Sequence, residues 1–140
     1  MADELEGNIT RTDGPEILFY RRELACKKTG VVRLHPGFAK SLAILRMVFG
    51  QPMQVTSCCR SAEYNEEIGG HEKSLHVYDI PAHGTLGALA IDIQRKHGLY
   101  AHQLVRCAID MGWSVGVART FIHLDRRNMI HLRPSVFGYG

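Results

Sequence analysis

The sequence predicts an α+β domain, and three observations carry that prediction. Two stretches, 36–50 and 99–111, repeat apolar residues at the spacing of a helix with one buried face. Four shorter segments, 53–58, 88–93, 113–117 and 120–124, have the length and β-rich or apolar character of strands. The last two strands are separated only by a turn, as in a hairpin, which points to a small antiparallel sheet flanked by helices.

Residues 1–15 read as a flexible arm ending in the turn signal Gly14-Pro15, with the domain proper over 16–140. Ile17, Phe19 and Arg-Arg-Glu-Leu-Ala form a short mixed segment, and Cys26 to Gly30 a turn. Pro36 then opens a helix whose Phe38, Leu42, Leu45, Val48 and Phe49 share a face, and Gly50 closes it. Segment 53–58 is the first strand. Ser61 is placed to cap a short helix over 62–68, stopped by Gly69-Gly70. Segment 88–93 is a strand that is apolar except for Asp92. Helix 99–111 aligns Leu104, Ala108 and Met111 and stops at Gly112. No internal repeat or low-complexity tract appears.

A chain of 140 residues with 45% hydrophobic and 22% charged residues fits one soluble domain with a real core. No apolar run approaches the roughly 20 residues of a membrane helix, so no span is expected. The opening MADELEGNITRTDG is acidic and polar, unlike a secretory signal, which implies synthesis in the cytoplasm. The net charge of +3 comes from scattered basic residues, so nucleic acid is not an expected partner; a monomer is expected. Cys26, Cys58, Cys59 and Cys107 lack CxxC spacing and read as reduced structural thiols.

Asp92 and His123 each interrupt an apolar strand, where a buried polar group needs a partner or a metal. With His76 of Ser74-Leu75-His76 they offer two imidazoles and a carboxylate. That is the three-ligand set of a catalytic zinc with its fourth position open to water. A buried His–Asp hydrogen bond without metal is the alternative on spacing alone. Arg60, at the end of segment 53–58, could grip a carboxylate through its planar fork, or be an ordinary surface arginine.

Ser57-Cys58-Cys59-Arg60-Ser61, Tyr64-Asn65, Gly69-Gly70, Ser74-Leu75-His76, Ala90-Ile91-Asp92-Ile93, Gly116-Val117 and Phe121-Ile122-His123-Leu124-Asp125 follow in fixed order. With Glu23-Leu24-Ala25-Cys26 ahead of the long helix, this order resembles the zinc D-Ala-D-Ala carboxypeptidase and murein endopeptidase family over about residues 18 to 127. The resemblance implies the small α+β fold that this family shares with the signalling domain of hedgehog proteins. It implies one zinc ion, with His76, Asp92 and His123 as ligands. Arg60 would bind a carboxylate of the peptide substrate, and Ser74 would stand beside the first ligand at the substrate site. Such enzymes cut peptidoglycan stem peptides of the bacterial cell wall, and many small ones are phage lysis enzymes.

The chain departs from the family pattern twice. A longer segment separates His76 from Asp92 and brings Asp79 and His83, so His83 becomes a rival ligand or a catalytic acid–base. The glutamate that many relatives carry three residues before the last histidine is here Thr120. Asp125, on the same side of an extended strand as His123, is then the nearest candidate base, or else a group that orients a ligand; His83 and His71 are its rivals. The missing glutamate also leaves open a non-catalytic, zinc-containing module that binds cell wall or a partner.

Overall fold

A computed structural model describes residues 19–79 and 87–139. The arm over 1–15 and His83 therefore lie outside the described residues. In chain order the elements are α1 (Arg21–Leu24), α2 (Pro36–Phe49), β1 (Val55–Ser57), α3 (Ala62–Glu67), β2 (Ala90–Gln94), α4 (Gly98–Asp110), β3 (Ser114–Val117), β4 (Phe121–Asp125) and β5 (Val136–Gly138), with a 3-10 turn over Arg127–Ile130. The α+β class holds.

The helices begin and end where local chemistry dictates. Pro36 occupies the first turn of α2, where its missing N–H is no loss, and the His35 Nδ1 accepts the Gly37 N–H at 3.1 Å. Gly50 ends α2 in the left-handed conformation, φ 71°, which a side chain would disfavour. Ser61 caps α3 by accepting the Tyr64 N–H at 3.1 Å. His97 does the same for α4 through the Tyr100 N–H.

The sheet order is β1-β2-β4-β3-β5. The first three pairings are antiparallel, while β5 joins β3 in parallel. The sheet is thus mixed rather than wholly antiparallel, because the 3-10 turn carries the chain across to an edge no hairpin could reach. Strand β1 is shorter than the expected 53–58, since its register slips between Val55 and Ser57 and ends the ladder there.

Alternation along the strands divides the sheet. Ile91, Ile93, Val115, Ile122 and Leu124 join Phe38, Leu42, Leu45 and Leu104 of α2 and α4 in one buried core. Each such side chain, fully removed from water, contributes roughly 1.5–3 kcal/mol. The other face carries polar residues, and on it Ser57, Asp92, His123, Gly116 and Phe137 are register partners from strand to strand. No helix among the described residues is long and apolar enough to cross a membrane. All four cysteines are free, and Cys26, Cys58 and Cys59 are buried.

Candidate metal centre

Two of the three candidate ligands meet because strand pairing puts them opposite each other. Asp92 of β2 and His123 of β4 are direct partners, so their side chains leave the same face side by side. The third ligand arrives on a loop that is pinned to that face. The Arg60 N–H donates to the His76 carbonyl at 2.9 Å, the Tyr78 N–H to the Arg60 carbonyl at 3.0 Å, and the Leu89 N–H to the Leu75 carbonyl at 2.8 Å. Ser74 Oγ accepts the His76 N–H at 3.3 Å, which folds the Ser-x-His segment back on itself. His76, Asp92 and His123 are all buried, and one ligand atom from each lies within 4.8 Å of the others.

The hydrogen positions test whether a cation fits. His76 Nδ1 stands 2.7 Å from the Cys58 carbonyl, which can only accept, so this nitrogen carries the hydrogen. Nε2 of the neutral ring is then a bare lone pair facing Asp92 Oδ1 at 3.2 Å, acceptor against acceptor. Protonating Nε2 would relieve the opposition, but burial lowers the His76 pKa and keeps the ring neutral. A cation between them relieves it fully. The donor set, two imidazoles and a carboxylate, is the type that suits zinc.

His123 lies between two carboxylates, with Nδ1 2.9 Å from Asp92 Oδ1 and Nε2 2.8 Å from Asp125 Oδ2. Burial alone would lower its pKa, yet the hydrogen bonds the ring donates to Asp125 and Asp92 outweigh that and hold it at about 9. Burial would raise both carboxyls. His123 and His76 instead hold Asp92 well below the usual carboxylate range, and His123 with Arg127 lowers Asp125. Asp125 is fully buried, and both its oxygens are engaged: Arg127 donates from Nε at 3.0 Å to Oδ1 and from Nη2 at 2.8 Å to Oδ2.

Arg60 is brought to the same site. Its Nε–H donates to Ser57 Oγ at 3.0 Å, Nη1 to Asn65 Oδ1 at 3.2 Å, and Nη2 stands 3.5 Å from Asp92 Oδ2. Asn65 is buried and also donates to the His71 carbonyl at 2.8 Å, tying Arg60 to the loop that carries His71. A side chain at Gly70 would run into Asn65, and Gly69 before it takes the left-handed φ of 73°, so each of the paired glycines has its own reason. Arg60, Gly70 and the three candidate ligands line a cleft of about 670 Å³ together with His71, Lys73, Ser74, Phe121, Asp125, Arg127, Phe137 and Tyr139. That volume suits a small ligand or a short peptide. A second cleft of about 470 Å³, beside Arg95, His102 and Arg106 of the α4 side, holds no group of three metal-type ligands among the described residues.

Of the other expected residues, His71 is exposed at the rim, its Nδ1 accepting the Lys73 N–H at 3.0 Å. Thr120 is exposed in the turn before β4, with its carbonyl taken by the Arg95 N–H at 2.8 Å. Sequence reasoning missed Arg127, Phe137 and Tyr139. The alternation Phe137-Gly138-Tyr139 just after Pro134 was the available signal for a strand. Phe137 packs beside His123, ring centroids 5.8 Å apart, and Arg127 lies over its ring at 5.3 Å. Gly116 makes that packing fit, since a Cβ there would stand 2.5 Å from Phe137 Cε2 and 2.9 Å from Tyr139 Cε1.

A family model described as Peptidase M15 matches residues 18–125, which spans every element from α1 to β4 and all three candidate ligands. No curated protein matches the chain.

Proposed function

The chain belongs to the peptidase M15 family, and from that premise we propose that it hydrolyses peptide bonds in bacterial peptidoglycan stem peptides with one zinc ion, as a D-Ala-D-Ala carboxypeptidase or murein endopeptidase. The observation that carries the reading is the buried convergence of His76, Asp92 and His123 at the floor of a peptide-sized cleft. These three would hold the ion. When bound, zinc would act as a Lewis acid toward the scissile carbonyl and lower the pKa of water toward neutrality.

The chain's own residues do the rest. The Cys58 carbonyl fixes His76 as the Nδ1–H tautomer, so its Nε2 is free toward Asp92, and Asp125 holds the Nε2 hydrogen of His123, so that ring would offer Nδ1 once it gives up its other proton to a metal. Asp125 is therefore proposed as the orienting group rather than the base, because no lone pair of it faces the cleft unengaged. Proton transfer is assigned to His83 or to its rival His71, whose Nε2 is the nitrogen left by the Lys73 contact. Arg60 donates one N–H to Ser57 and one to Asn65 and turns Nη2 toward Asp92 at 3.5 Å, which leaves N–H bonds of its fork to grip a substrate carboxylate. That grip would set which bond lies over the ligands. Ser74 supports His76 from the cleft wall and stands where a substrate could touch it. Action on the bacterial cell wall, as in a phage lysis enzyme, is the setting we propose.

Purified peptidoglycan incubated with the zinc-loaded protein should release peptides, read by mass spectrometry. Chelation should stop release and added zinc restore it. Equal release by a His76→Ala, Asp92→Ala double variant would sink the proposal. One observation favours a second reading: the two described carboxylates lining the cleft, Asp92 and Asp125, are both engaged, and Thr120 replaces the expected glutamate. A non-catalytic zinc module that binds cell wall would sediment with peptidoglycan and release nothing.

A further inference from the structure

The cleft has two unlike walls. One is basic, with Arg60, His71 and Lys73; the other is aromatic, with Phe121, Phe137 and Tyr139. The aromatic wall is built by the sheet. Phe121 lies two residues before His123 and Tyr139 two after Phe137, so both stand on the face that carries the ligands. The rings brace one another, Phe121 edge to face with Tyr139 at 5.2 Å and 65°, and Phe137 tilted against Tyr139 at 5.6 Å and 46°. The Tyr139 N–H donates to the Val117 carbonyl at 3.1 Å, which pins the main chain beneath the ring. Its hydroxyl has no hydrogen-bond partner among the described residues, although the side chain is half-exposed on a cleft crowded with polar groups.

We propose that Tyr139 is a substrate-binding residue, its ring forming the wall along which the peptide lies and its hydroxyl donating a hydrogen bond to an oxygen of that peptide. The inference rests on the peptidase reading above and adds a residue beyond the 18–125 match. Among the described cleft residues, the donors with hydrogen to spare include N–H bonds of Arg60, the Arg127 Nη1 and the Tyr139 hydroxyl. A ligand that satisfies both walls presents acceptor oxygens to the basic side and apolar or backbone surface to the rings, which describes a short peptide with a free carboxylate. Burial, then the Asp92 carboxylate, raises the Tyr139 pKa, so the hydroxyl keeps its proton and acts as a donor at neutral pH.

The test measures binding of a synthetic peptidoglycan stem pentapeptide to the metal-free protein by calorimetry, and KM and kcat with zinc. Tyr139→Phe, which removes only the hydroxyl, should weaken binding and raise KM about fivefold while kcat stays within about twofold. Tyr139→Ala should weaken binding more than tenfold, as the stacked wall is lost too. Zinc affinity and melting temperature should not move in Tyr139→Phe. Wild-type protein that binds the pentapeptide no better than Tyr139→Phe does overturns the assignment alone. A fall in zinc affinity that accounts for the change in KM overturns it as well, since Tyr139 would then act through the ligands. Wild-type protein that neither binds the pentapeptide nor releases peptides from peptidoglycan overturns the peptidase reading and this one with it.

Discussion

Replacing Asp125 with asparagine separates the two roles its position allows. The carboxylate accepts from four donors: His123 Nε2, and Nε, Nη2 and the backbone N–H of Arg127, all at 2.8–3.0 Å. Asparagine keeps one accepting oxygen and sets an NH2 group where the other was. Held by the Arg127 fork on its oxygen side, the amide would donate toward His123 Nε2. The ring would then move its hydrogen to Nδ1, the nitrogen that must stay bare to bind a cation next to Asp92. Loss of such an orienting partner lowers metal affinity by roughly 10–100-fold. Because Asp125 is fully buried and the Arg127 side chain is 23% exposed, little of the ion pair is screened by water. Leaving the guanidinium without its anion adds a stability loss of about 3 kcal/mol at most. Competition for zinc against a chromophoric chelator reads the first effect, and thermal unfolding of the metal-free protein reads the second. Zinc affinity within about twofold of wild type, with peptide release abolished, would refute this reasoning and return Asp125 to the role of base.

Gly116→Ala should drive a methyl group into Phe137 and Tyr139, with an overpacking loss of roughly 1–3 kcal/mol, seen as a lower melting temperature; an unchanged midpoint would contradict the close approach. Zinc uptake should release about one proton from His123 per ion at pH 7, falling to about half a proton at pH 9, because His123 is held at about 9 and must give up its proton, whereas His76 is already neutral. Titrations in buffers of different ionisation enthalpy count that proton. The metal-free protein should also lose stability as pH rises. The folded His123 pKa lies above its ordinary value near 6.5, so its stabilisation is complete below that pH and disappears as the pH passes about 9. Unfolding midpoints at pH 6.5 and 9.5 test the sign. Asn65→Ala should strip Arg60 and the His71 loop of a shared buried partner, costing about 1.5–3 kcal/mol and raising KM more than it lowers kcat.

Much of this architecture was legible in the sequence, for identifiable reasons. Pro36 and Gly50 bracket α2, Ser61 caps α3, and polar residues stranded in apolar runs mark Asp92 and His123. Local chemistry fixes all of these within a few residues. What escaped depends on contacts distant in sequence. β5 has three residues and no strong pattern, and it exists because β3 offers it an edge. The hydrogen-bond count on Asp125, on which its proposed orienting role rests, comes mainly from Arg127, a residue that looks like half of an ordinary basic pair. Neither the Cys58 carbonyl nor the Gly116 gap announces itself in a list of side chains, since one acts through backbone and the other through an absence of atoms.

The parallel attachment of β5 has a consequence for solubility. Strand β3, Ser114–Val117, is nearly all buried and runs Ser-Val-Gly-Val, with no charge or proline to discourage pairing. Stripped of its neighbour it would be an uncapped apolar edge, the kind of surface on which a second copy adds its own strand. β5 closes that edge with the same residues that shape the aromatic wall. Changes made to widen the cleft from this side therefore also set how readily the protein sticks to itself, and variants at Gly116, Phe137 or Tyr139 should be compared at matched, low concentration before any loss of activity is credited to the site.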